Sequence, residues 1–293
     1  MIAVVGDVLV DVVVAPSTAT ARGSDTASSI TWRRGGAAAN TAAWLAAVGA
    51  PVRLVGRVGA DLAGRALAEV LGEAGVDCRF AVDADAPTGT VVAITSPSDR
   101  DMYTSRGAAG RLSPEDLGTG WLDGVRHLHL SGYALLGEGT RAAARRALSD
   151  AAAAGVSISV DPASREPLAA VGVERFLSWL PPGVLLTPNT DEAALLAGVD
   201  DPLRAAAALA GRVGEAVVTC GADGAVWSDG VQSEVVDAHP CGTRAVDPVG
   251  AGDAFTAGLL HARTRGASVS HQLAEAVRVA ARAVGGDHPG QGR

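Results

Sequence analysis

The 293-residue chain predicts an α/β fold, a doubly wound and mostly parallel sheet with a small inserted β-sheet lid. Three observations carry this reading. Short apolar runs rich in β-formers alternate with Ala/Leu-rich helical stretches, which implies a parallel sheet covered on both faces. Small or polar residues follow the strands in series at one edge, where doubly wound sheets bind ligands. Two further stretches pair strand-like runs with no helix between them.

Ile2–Gly6 is the first candidate core strand, and Gly6-Asp7 follows it. "LVDVVVAP" and "SSITWRR" come next, alternately apolar and polar as a half-exposed antiparallel sheet would be. "AAANTAAWLAAVG" is a helix stopped by glycine, then Val52–Gly56 is a strand and "DLAGRALAEVLGEAG" a second helix. "GTVVAITS" with "RDMYTSR" repeats the strand pair. The two pairs make a lid from segments of about 9–34 and 87–106, inserted into a single domain of residues 1–293. The same runs also fit two ordinary surface hairpins. "LSPEDL" carries a helix start, with Ser113 as N-cap and Pro114 at the first position. Strands His127–Leu130, Val156–Val160, Val184–Thr187 and Ala216–Thr219 follow, with helices "TRAAARRALSDAAAAG" and "DEAALLAG" among them. The strands end in Ser131-Gly132, Asp161-Pro162, Pro188-Asn189 and Cys220-Gly221.

Bulk composition narrows the function. A net charge of −8 opposes binding to nucleic acid or to an anionic membrane. No stretch approaches a membrane span, and Asp7 interrupts "MIAVVGDVLVD" where a signal peptide needs apolar residues, so a cytoplasmic protein is expected. Cys78, Cys220 and Cys241 are widely spaced without a CxxC, which favours buried thiols over disulfides or zinc. The chain contains no lysine, and all 24 basic residues are arginine. A Walker A loop is therefore excluded, and a bound phosphate must rely on backbone N–H groups, arginine and metal.

"DPVGAGDAFTAG" meets that requirement. A helix beginning near Gly250 presents successive glycine-rich N–H groups and the positive end of its dipole. Asp253 in its first turn is a poor phosphate ligand but is placed to deprotonate a hydroxyl attacking that phosphate. The same acid also fits plain complementation of the helix dipole. G-x-G-x-x-G fails here, because position 255 is Phe255. "RRGGAAANTAAWL" opens a second helix on a glycine pair. Asn40, a mediocre helix former, with Asp7 and Asp11 offers acceptors and a donor for a polyhydroxylated ligand; a local hydrogen bond would equally explain Asn40. Asn189 and Glu192, spaced i, i+3, suit water-held Mg²⁺ or simple N-capping. The six histidines show no ligand spacing, and His127 and His129 belong to a core strand.

Together these segments resemble the ribokinase-like (PfkB) family of carbohydrate kinases. The resemblance rests on "RRGGAAANTAAWLAAVGAPVRLVGRVGADLAG", "YTSRGAAGRLSPEDL", "LLTPNTDEAALLAG", "VVTCGADGAVW" and "DPVGAGDAFTAG", in family order across nearly the whole chain. It implies transfer of the ATP γ-phosphoryl group to a sugar hydroxyl, with Asp253 as base and the N–H groups of Gly250, Ala251 and Gly252 as anion hole. It places Asp11, Gly35, Gly36 and Asn40 at the sugar, with Asp7 nearby and Arg106 as a charge partner from the lid. Asn189 and Glu192 fall where the family organises Mg²⁺ and phosphates; Asn189, with Thr219, Gly221 and Gly224, falls on the nucleotide side. A monovalent cation such as K⁺ near Asp247 is implied for some members, as is a homodimer formed through the lids. Pro248-Val249 after Asp247 departs from the family's usual threonine, and "EAVRVAARAVGG" lacks an asparagine often found near the adenine. The sugar is of the ribose, fructose or 2-keto-3-deoxygluconate type. The competing readings are a nucleoside kinase of the same fold, with Trp32 stacking on a base, and a non-catalytic sugar- or nucleotide-sensing protein.

Overall fold

The computed structural model describes residues 1–19, 23–95, 100–240 and 250–289. β1 (Ile2–Val5) is buried throughout, as a run of Ile, Ala and Val with no alternation should be. β2 (Leu9–Pro16) and β3 (Ser28–Gly35) form an antiparallel pair, followed by α1 (Ala37–Ala47), β4 (Val52–Gly59) and α2 (Leu62–Glu73). β5 (Val76–Asp83) leads to β6 (Gly89–Thr95) and β7 (Arg100–Ser105), again an antiparallel pair. After two short 3₁₀ turns, β8 (His127–Ser131), α3 (Gly132–Leu136), α4 (Arg141–Ala153) and β9 (Ser157–Asp161) resume the strand–helix alternation. α5 (Arg165–Val171), α6 (Val173–Leu177), β10 (Val184–Leu186), α7 (Thr190–Ala197), α8 (Pro202–Val213) and β11 (Gly214–Thr219) continue it. β12 (Ala225–Ser228), β13 (Ser233–Val236), α9 (Ala251–Thr264) and α10 (Val269–Val284) complete the described chain.

Among the described residues the main sheet has nine strands in the order β13-β12-β11-β10-β9-β8-β1-β4-β5, parallel from β5 to β11 and antiparallel at β12 and β13. One face packs α1, α2, α9 and α10 around Trp44, Leu54, Leu67 and Phe255; the other packs α4 to α8 around Leu130, Leu148, Phe176 and Leu209. From β1 the chain winds outward to β4 and β5, then returns to β8 on the other side. The carboxyl ends of β1 and β8 therefore flank the switch point at which such sheets form crevices. β5, β12 and β13 are the strands that periodicity missed, and β5 and β13 are only partly buried. The "LSPEDL" start is correct in position but yields a 3₁₀ turn, Pro114–Leu117, capped reciprocally by Ser113 and Asp116.

A second sheet, β3-β2-β6-β7, rises from this crevice, formed by the two segments expected of a lid. Pairing places Trp32, Val12, Val92 and Tyr103 side by side in one row, and Ile30, Val14 and Ile94 in the next. Ile30, Trp32 and Tyr103 are exposed on that face, whereas Asp11 and Val91 belong to the opposite one. Cys78 and Cys220 are free and half-buried, and Cys241 lies outside the described residues. No helix among the described residues is long and apolar enough to cross a membrane.

Candidate active site

α9 starts at Gly250, whose left-handed backbone (φ 77°) no side chain caps. The first intrahelical bond runs from Ala254 N–H to Gly250 O (2.9 Å), so the N–H groups of the preceding first turn have no partner within the helix. Ala251 and Gly252 stand at the opening, and Asp253 follows, half-buried behind them. Burial, with the carboxylates of Asp161 and Asp7, raises the Asp253 pKa well above its ordinary value; an Asn40 hydrogen bond and the Arg34 cation oppose that shift. Thr41 Oγ1 is 3.5 Å from Asp253 Oδ1. Asn40 thus bonds Asp253 directly, while its Oδ1 accepts from Arg34 Nε (3.2 Å).

Arg34 was not singled out by sequence reasoning. It is 4% exposed, and it donates to the Pro289 carbonyl as well as to Asn40. Burial lowers its pKa to about 10 against the pull of Asp253 and Asp11. The signal lay in "RRGG", but its burial depends on the chain's far end folding back.

The glycine pair beside it holds two carboxylates. A Cβ on Gly35 would lie 2.1 Å from Asp11 Oδ1, so glycine is required for Asp11 to lie across the strand. Gly36 caps α1 with φ 91°, and a Cβ there would lie 2.5 Å from the Asp7 carbonyl oxygen. Asp7 is 5% exposed and accepts from Ala37 N (3.2 Å), Ala38 N (3.5 Å) and Ser131 Oγ (3.0 Å). Its carboxylate is engaged in closing the start of α1, so Asp7 acts on the site through α1.

Arg106 lies 4.2 Å from the centre of the Tyr133 ring, a cation–π contact where β7 returns to the main sheet. Tyr133, on α3, is hydrogen-bonded to Ser164 and senses the charges of Asp7, Arg106 and Asp161. Asp161 ends β9 and accepts from Ala163 N (2.6 Å). Ala163 is the one described non-glycine residue with positive φ (79°), a strained turn at the crevice rim. Burial and the neighbouring Glu192 raise the Asp161 pKa to about 7. Tyr133 and Asp161 both follow strand ends that the sequence flagged, yet neither was named as a site residue.

Asn189 and Glu192 make the capping box that was one of their two readings. Glu192 N donates to Asn189 Oδ1 and Asn189 N to Glu192 Oε2, both at 2.9 Å. Glu192 is 4% exposed and its pKa is raised, chiefly by burial. Among the described residues no three His, Cys, Asp or Glu side chains converge as a ready metal cage. Asp161 nevertheless raises the pKa of Asp253, Glu192 raises that of Asp161, and Asp7 adds to both, a crowding of carboxylates that a hydrated cation would relieve.

A cavity of about 360 Å³ opens beside α9, lined by Thr219, Gly221 and Gly224 together with Ala251, Gly252 and the apolar side of α10. Gly224 has φ 93° and would place a Cβ 1.9 Å from the Val236 carbonyl oxygen, so the turn after β11 admits only glycine. Three of the four residues expected on the nucleotide side therefore share one cavity wall, and Asn189 does not line it. His127 and His129 are neutral core residues bonded to Ser157 and Ser159, their pKa values lowered by burial to about 3 and 4. Asp247, Pro248 and Val249 lie outside the described residues, and with them the expected cation position.

The family profile "pfkB family carbohydrate kinase" matches residues 1–290. A fructokinase of Klebsiella pneumoniae is 32% identical over 245 residues, 77% of this chain and 75% of its own length. A 2-dehydro-3-deoxygluconokinase of Thermoproteus tenax is 32% identical over 248 residues, 81% of this chain and 75% of that protein. Among solved structures, a putative ribokinase II of E. coli in complex with ATP and Mg²⁺ superposes with a TM-score of 0.84 at 25% identity, over 98% of this chain and 94% of that one. An adenosine kinase of Sinorhizobium meliloti shares the fold with a TM-score of 0.88 at 23% identity, over 98% and 94% of the two chains.

Proposed function

The chain belongs to the pfkB family of carbohydrate kinases, phosphotransferases that act on sugar hydroxyls, and from that premise we propose an ATP-dependent kinase in which Asp253 is the catalytic base. The observation that carries the reading is a carboxylate seated in the first turn of an uncapped helix, with Asn40 and Arg34 behind it. The N–H groups of Gly250, Ala251 and Gly252 face the transferring phosphoryl group and stabilise the charge it spreads over its oxygens. Asp253 accepts the proton of the attacking sugar hydroxyl, and Arg34 keeps that carboxylate available as a base. Asp11, Gly35, Gly36 and Asn40 form the sugar wall, with Asp7 acting through α1. Arg106, stacked on Tyr133, closes the wall from the small sheet acting as lid and excludes water from the transfer.

The nucleotide occupies the cavity bounded by Thr219, Gly221 and Gly224. Glu192, its carboxylate oriented by Asn189, would hold Mg²⁺ through water, and the ion would supply neutralisation of phosphate charge. The substrate is a small sugar of the ribose, fructose or 2-keto-3-deoxygluconate type. The nucleoside alternative rested on Trp32, and Trp32 lies on the exposed face opposite Asp11, where it does not line this crevice.

Asp253→Asn tests the assignment. Phosphorylation, followed as ADP release against ribose, fructose, 2-keto-3-deoxygluconate and adenosine, should fall by about 10²–10⁴ while ATP binding persists. Turnover comparable to wild type would overturn it.

A further inference from the structure

"GRVGADLAG", Gly56 to Gly64, is the part of the glycine-rich signature that the reaction leaves unused. Its side chains and glycines converge on one residue outside it, Thr88, at the point where the chain enters β6. Thr88 is 4% exposed. Its hydroxyl donates to Asp61 Oδ1 (2.6 Å) and accepts from Gly59 N (3.0 Å), while its own N–H donates to Asp61 Oδ2 (2.8 Å). Asp61 also caps α2 through Gly64 N (2.8 Å). A Cβ on Gly59 would sit 2.5 Å from Thr88 N, and one on Gly64 would sit 3.0 Å from Thr88 Oγ1. The spacing Gly-x-Asp-x-x-Gly is thus the shape of a socket: one carboxylate to grip Thr88 and two glycines to let it in.

Arg57, from the same stretch, ties the two crossings of the chain between the sheets. Its Nε donates to Asp83 (3.0 Å), on the way into the small sheet, and its Nη1 to Asp116 (2.9 Å), on the way out. Next to Thr88, a Cβ on Gly89 would meet the Arg106 carbonyl oxygen at 2.4 Å. Ala108 N, two residues beyond Arg106, donates to Pro87 O at 2.8 Å. The backbone of Arg106 is therefore packed directly on the segment that Thr88 anchors.

We propose that Gly59, Asp61 and Gly64 are a socket for Thr88, and that Thr88 seated there positions Arg106 over Tyr133 at the sugar wall. Thr88 is a positioning residue. Its effect on the sugar rests on the proposed kinase function.

The test uses the intact chain with Thr88→Val, Thr88→Ser, Arg106→Gln and the Thr88→Val/Arg106→Gln pair. Fructose or 2-keto-3-deoxygluconate serves as probe, whichever the wild type turns over. Thr88→Val should raise KM for the sugar about tenfold, as expected for lost buried hydrogen bonds, and leave KM for ATP within about twofold. Thr88→Ser should restore it, and on the Arg106→Gln background Thr88→Val should add little. A sugar KM raised by Arg106→Gln but untouched by Thr88→Val, or fully additive effects, would overturn the positioning role. If Arg106→Gln alone changes nothing, the sugar-wall assignment of Arg106 fails, and hydrogen exchange decides the socket on its own. Peptides covering 100–111 must then exchange faster in Thr88→Val and normally in Thr88→Ser; unchanged exchange refutes the socket. Asp61→Asn, which keeps an oxygen for Gly64, replaces Thr88→Val if that variant does not fold, with the same expected outcomes.

Discussion

Asp253 and Arg34 show how one buried charge sets the working range of another. As the proposed base, Asp253 must be unprotonated to accept a proton, so the reaction should fail on the acid side as its carboxylate becomes protonated. Arg34 lowers its pKa and Asp161 raises it. Arg34→Met should therefore move the acid limb of kcat/KM to higher pH, and Asp161→Asn should move it lower. Opposite or absent shifts in the pH profile would refute the coupling. Asp161 also links to stability. Its folded pKa of about 7 lies above the ordinary 3.8, so the folded state holds the proton more tightly. Stability is then lost as pH rises from about 4 to about 7, and below that window both states are protonated and nothing is lost. The melting temperature of Asp161→Asn relative to wild type should accordingly rise between pH 4 and pH 8. Of these residues Asp253 was legible in the sequence because its motif is local. Arg34 and Asp161 were not, because burial and neighbouring charge are made by segments far apart in the chain.

At the scale of elements, α1 carries the most consequence per residue. Its N-terminus is closed by Asp7 rather than by its own cap, and it delivers both Asn40 and Thr41 to Asp253. Gly36→Ala brings a left-handed backbone and a clash with the Asp7 carbonyl, and should cost more than about 1 kcal/mol in urea denaturation. A wild-type midpoint would show that the α1 start tolerates displacement. α7 illustrates a different limit. The i, i+3 pair Asn189 and Glu192 was visible, but spacing alone serves capping and metal organisation equally, and the observed capping box realises the first while leaving the second to proposal. α8 went unread although Asp201 caps it and Pro202 opens it, since its surroundings gave no motif to mark it. Partly buried β13 lacks the uninterrupted apolar run that revealed the central strands.

For the whole molecule, the exposed apolar face carrying Ile30, Trp32 and Tyr103 is the surface through which the homodimer implied by the family resemblance would form. Sedimentation should give a mass of two chains for the wild type and of one chain for Ile30→Glu/Tyr103→Glu; a monomeric wild type would refute that assembly. Strand–helix alternation and glycine-terminated helices were enough to determine the doubly wound sheet and the inserted strand pairs, because each is a local property of the chain, and the absence of lysine pointed to the backbone N–H groups that the proposed function assigns to phosphate. Only the tertiary structure decided that Asp7 closes the start of α1, that Trp32 turns away from the crevice and that Arg34 stands behind Asn40 and Asp253. Those outcomes depend on which face of a strand is covered and on which distant charges share one low-dielectric space, and periodicity carries neither.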